Sequence, residues 1–171
     1  AWEGERRAPD SLLVGRNTGG KNAPLFWVFQ GQQEFTALAD RLGPEQPLYG
    51  FRSGHQVMDY TEANIQTLAT SYRREIAIAY PQGPIILGGN CQGGLIALAI
   101  AQQFWRLQQP IALVCLLEWA FPPQPYQGRV ALLWGAASSH KNPFFKFRNP
   151  EHYWRRAYGA YSVDIVSGGH G

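Results

Sequence analysis

Charge is scarce in this sequence: Asp, Glu, Lys and Arg make up 16% of 171 residues. The basic residues are scattered, with only Arg6-Arg7, Arg73-Arg74 and Arg155-Arg156 adjacent. There is no basic stripe to track a phosphate backbone, so nucleic acid is not an expected partner. No apolar run reaches the roughly 20 residues of a membrane span, and no signal-peptide pattern opens the sequence. A membrane is therefore not an expected partner either, and the cytoplasm is the expected compartment. Cysteine is rare, with only Cys91 and Cys115. Neither has zinc-ligand spacing to another Cys or His, so no metal is expected. Cys115 sits inside the apolar run Ile111–Leu117 and should be a core residue, so a disulfide with Cys91 is not expected. Internal repeats and low-complexity tracts are absent.

What is present fits one folded domain. Apolar residues are 45% of the chain and aromatics 13%, enough for one core at this length. With so few charges, apolar surface patches or a deep apolar groove are expected. The net charge of +3 would suit an acidic partner.

Residues 1–22 are polar and glycine-rich without periodicity, and read as a linker or loosely docked arm. Residues 23–171 read as the folded domain. Predicted strands are Leu25–Phe29, Pro47–Phe51, Pro84–Leu87, Ile111–Leu117, Val130–Trp134 and Tyr161–Val166. Between them fall helical patterns carrying Phe35, Leu38 and Leu42, then Ile65, Leu68, Tyr72, Ile76 and Ala79. A third helix runs from Cys91 to about Leu107, and residues 150–158 form a fourth. Strand and helix alternate, which predicts an α/β fold with a mostly parallel sheet covered on both faces.

The most specific stretch is Gly89-Asn90-Cys91-Gln92-Gly93. It joins an apolar, β-branched strand to the Ala-rich run Leu95–Ala101. Strand, sharp turn and helix, with a reactive side chain at the apex, is the nucleophile elbow G-x-S-x-G with cysteine in the serine position. The helix N-terminus beside Cys91 favours a thiolate. It also offers the Gln92 N–H to an acyl oxyanion. The second oxyanion donor is expected in the loop after the first strand, from the N–H of Gly31 or Gln32.

A thiolate nucleophile needs a base, and the base an orienting carboxylate. His140 and His152 read as surface residues. His55 follows a strand and could approach the site. His170 follows the last strand in a glycine-rich loop, and the order nucleophile, acid, histidine suits this fold, so His170 is the expected base. The loop after Val130–Trp134 holds no carboxylate. Glu118 ends the strand Ile111–Leu117, where a carboxylate is costly unless partnered, and is the expected acid. Asp164 is the alternative. Only residues 119–128, rich in proline, join Glu118 to Arg129. A parallel crossover takes about a dozen or more residues, usually with a helix, so a segment near 121–128 is expected to be absent from this sequence.

Taken together, Leu25–Gln33, the elbow, Leu117-Glu118 and Gly168-Gly169-His170-Gly171 resemble the thioesterase domains of nonribosomal peptide synthetases and polyketide synthases, over roughly residues 24–171. The resemblance implies an α/β-hydrolase fold and a helical lid where the crossover is too short. It implies no cofactor on the domain itself. The substrate would be a peptidyl or acyl thioester on the 4'-phosphopantetheine of a carrier domain in the same polypeptide. The domain would take the chain onto Cys91 and release it to water or to an internal nucleophile. Two departures stand out: Cys91 replaces the usual serine and Glu118 the usual aspartate. An acyl-cysteine keeps the activation of the incoming thioester, and cysteine variants of this family are associated with closing small strained rings such as β-lactams and β-lactones. The alternatives are a stand-alone editing thioesterase or general hydrolase, and a hydrolase-like binding module without activity.

Overall fold

A computed structural model of the chain describes residues 5–109, 111–118, 124–138 and 143–168. Eight strands form one sheet in the order β1-β2-β4-β3-β5-β6-β7-β8. They are β1 (Glu5–Arg6), β2 (Val14–Arg16), β3 (Leu25–Phe29), β4 (Leu48–Arg52), β5 (Ile86–Asn90), β6 (Leu113–Leu117), β7 (Tyr126–Gly135) and β8 (Tyr158–Val166). The helices are α1 (Gln32–Leu42), α2 (Glu62–Ala79), α3 (Gln92–Arg106) and α4 (Glu151–Ala157). From β4 to β8 every neighbouring pair is parallel.

The first residues depart from the expectation of a loose arm. β1 pairs antiparallel with β2, and β2 antiparallel with β4, while Leu13 and Val14 are buried. The apolar run of Leu12, Leu13 and Val14 is too short to show a period, yet Val14 opens β2 beside β4.

Alternation along the strands divides the interior. Phe26 and Val28 face one way, into a cluster with Leu87, Val114, Leu116 and the inner sides of α2, α3 and α4. Leu25, Trp27 and Phe29 face the other way, with Phe35 and Ala39 of α1. Ile86, Cys115 and Leu117 lie on this second side and are only partly covered. The first side is sealed by large side chains, including Trp134 stacked on Trp154 at 5.1 Å between ring centres. Each fully buried side chain of this size contributes about 1.5–3 kcal/mol.

β6 and β7 are parallel neighbours despite their short connection, of which residues 119–123 lie outside the described residues. The expectation of an absent segment near 121–128 falls in part on those residues. Near the end of the connection the Pro125 carbonyl accepts from Gln102 Nε2 of α3 at 2.7 Å.

Candidate active site

Cys91 sits between β5 and α3 with φ 49° and ψ −117°. This left-handed backbone is costly for a residue with a side chain, by about 1–3 kcal/mol, and is kept only where the surroundings impose it. The surroundings here are two glycines. A Cβ on Gly93 would collide with the backbone carbonyl oxygen of Val28, and one on Gly89 with the backbone of Gly93. Strand and helix thus approach to backbone contact, and the chain must reverse within one residue. The Cys91 N–H donates to the Leu117 carbonyl at 2.9 Å, tying the apex to β6. Gln92 opens α3, so its N–H has no acceptor within the helix.

Glu118 follows β6 directly, also with positive φ, 52°. It is 4% exposed. Its Oε1 accepts from the Gly135 N–H at 2.7 Å and from Ser138 Oγ at 2.6 Å. Its Oε2 is buried and has no hydrogen-bond partner among the described residues. A buried carboxylate held on one oxygen and open on the other is poised to receive a donor. The loop after β7 that carries Ser138 is joined to the chain after β8: the Ala136 N–H donates to the Val166 carbonyl and the Ala137 N–H to the Gly168 carbonyl, both at 2.8 Å.

A cleft of about 740 Å³ opens at the apex, lined by Cys91, Gln92, Asn90, Gln30, Gly31 and His55, and extends over Trp27 and Leu38 beside α1. Gly31 is the N-cap of α1. Of the two expected second donors, Gly31 lines the cleft and Gln32 does not. His55 does reach the cleft, as its place after a strand suggested. Asp164 is exposed on the edge strand β8, and His152 is exposed on α4. His170 and His140 lie outside the described residues. Both cysteines are free. Burial pushes the Cys115 thiol up to about 11.

Several polar groups around the cleft had no signal in the sequence. Ser53, fully buried, donates from Oγ to Gln30 Oε1 at 3.1 Å. The Tyr60 hydroxyl donates to the Ser53 carbonyl at 2.8 Å. Burial raises the Tyr60 pKa, so its phenol stays protonated and remains a donor at neutral pH. Ser138 was visible only as a hydroxyl in a loop noted for lacking a carboxylate.

The strand order, the strained residue between β5 and α3, and a buried carboxylate beyond β6 define an α/β-hydrolase fold. No family model matches the chain. The chain is 32% identical over 118 residues to chondramide synthase cmdD of Chondromyces crocatus, an alignment covering 67% of this chain and 3% of that protein. The chain therefore spans only a small part of this curated relative. Among solved structures, the NocB thioesterase domain from the nocardicin cluster superposes with a TM-score of 0.74 at 18% identity, covering 92% of this chain and 88% of that one. YbtT, a type II thioesterase from the yersiniabactin NRPS/PKS pathway, gives a TM-score of 0.72 at 12% identity, covering 94% and 91%. Within the α/β-hydrolase fold, the chain is similar to thioesterases found with nonribosomal peptide and polyketide synthetases.

Proposed function

We propose that this domain releases a peptidyl or acyl chain from the phosphopantetheine thiol of a carrier domain, using Cys91 as nucleophile, His170 as base and Glu118 as the orienting acid. The carrying observation is Glu118: a buried carboxylate beside the apex strand, satisfied on one oxygen and open on the other. His170 follows two positions after Gly168, whose carbonyl is bonded to the residue next to Ser138. The sulfur attacks the thioester carbonyl and His170 accepts the thiol proton. The N–H groups of Gln92 and Gly31 hold the oxyanion. The carrier thiolate leaves with the proton from His170. Water, or an amine or hydroxyl of the acyl chain, then attacks the acyl-cysteine and gives its proton to His170, and the Cys91 sulfur departs. Attack by an internal group would close a ring, and the retained thioester activation suits a small strained one.

A test is loading from an acyl N-acetylcysteamine thioester followed by intact mass. The native chain should gain one acyl mass and Cys91→Ala none, at unchanged melting temperature. Turnover by Cys91→Ala at the native rate would refute the reading. A second reading, a stand-alone editing thioesterase, is favoured by the similarity to YbtT, a type II thioesterase. It predicts rapid hydrolysis of short acyl groups from any carrier, where the first predicts preference for a long peptidyl chain.

A further inference from the structure

We infer that the side chain of Gln30 is a positioning residue that sets the span between the two oxyanion donors, an inference that rests on the acyl-transfer reading above. The two donors come from separate turns: Gly31 from the end of β3, Gln92 from the end of β5. Gln30 bridges them. Its Nε2 donates to the carbonyl of Asn90, the residue before Cys91, at 2.7 Å. Its Oε1 accepts from Ser53 Oγ at 3.1 Å, and Ser53 Oγ in turn accepts the His55 N–H at 3.2 Å. That order fixes the amide. The Asn90 carbonyl can only accept, so the amide end facing it must be the donor Nε2, and Oε1 is left to accept the Ser53 proton.

The backbone of Gln30 is held as well. Glu34, in the first turn of α1, accepts the Gln30 N–H on Oε2 at 2.9 Å and Trp27 Nε1 on Oε1 at 2.7 Å. In a common capping box the glutamate would take the N–H of the N-cap residue itself, which here is Gly31. Glu34 reaches one residue further back and leaves the Gly31 N–H without an acceptor among the described residues. That N–H belongs to a residue lining the same cleft as Cys91 and Gln92. One glutamate thus keeps a donor uncommitted, and one glutamine fixes how far it stands from the elbow.

The test separates acylation, which develops an oxyanion, from alkylation by iodoacetamide, which does not. Gln30→Met keeps the length and removes both hydrogen bonds. Acylation of Cys91 by an acyl N-acetylcysteamine thioester should slow about 10²-fold, with iodoacetamide alkylation of Cys91 within twofold of native. Gln30→His, which restores a donor, should recover at least tenfold of the loss. Native acylation in Gln30→Met, or acylation and alkylation falling together, overturns the inference. Should Gln30→Met not fold, Ser53→Ala serves instead: acylation slower by about tenfold with alkylation unchanged supports the inference, and unchanged acylation overturns it. A native chain that alkylates but never acylates refutes the thioesterase reading itself.

Discussion

Cys91 and Glu118 occupy the same kind of position. Each is the first residue beyond a parallel strand, the two strands are neighbours, and each has left-handed backbone, φ 49° and 52°. They are held there by different means. Cys91 is held locally: Gly89 and Gly93 let strand and helix touch, and no other residue type fits. Glu118 has no glycine beside it. Its neighbours are Leu117 and Trp119, its N–H donates to the Leu133 carbonyl at 2.9 Å, and its side chain is held from another strand end, through Gly135 and Ser138. Cys91 is placed by a motif, Glu118 by the tertiary structure.

The largest effect should come from breaking the local device. In Gly93→Ala the new methyl meets the Val28 carbonyl, which is backbone and cannot step aside. Loss of stability of about 3 kcal/mol or more is expected, measured by urea unfolding. The distant device should fail differently. Glu118→Gln keeps an acceptor for Gly135 and Ser138 but removes the charge that the proposed base would face. Acylation of Cys91 should fall by about 10³-fold in a chain that still unfolds cooperatively. An acylation rate within tenfold of native would show that Glu118 is structural only.

The smallest effect sharpens the contrast between strand interior and strand end. Cys115 lies within β6, and burial pushes its thiol up to about 11. At pH 8 about one part in a thousand is thiolate, so iodoacetamide should modify Cys91 and spare Cys115 until the pH approaches that value. Peptide mapping after brief exposure reads the ratio, and equal modification at pH 8 would contradict the placement of Cys115.

These contrasts also explain what could be read from the chain alone. The elbow was legible because its glycines are adjacent in sequence to the residue they serve. β3 was legible to the residue, since Leu25–Phe29 is one apolar run between turn signals. β5 starts two residues later than predicted and ends three later, because pairing with β3 and β6 draws Gly88 and Gly89 into the strand. Propensity argues against that and tertiary pairing overrides it. β7 and β8 start earlier than predicted for the same reason, their ladder extending to Tyr126 beside Tyr158. Ser138, Ser53 and the side-chain role of Gln30 could not be read. Each acts on a group at least 20 residues away, and nothing in a serine or glutamine announces a distant partner.

The bond from the Cys91 N–H to the Leu117 carbonyl has a consequence for motion. Leu117 directly precedes Glu118, so the backbones of Cys91 and Glu118 are both tied at one end of β6. When thermal twisting displaces that strand, both are carried in the same direction, and their mutual spacing changes less than the position of either. Alignment between them is therefore buffered against the breathing of the sheet, much as two tools clamped to one rail stay in register while the bench shakes.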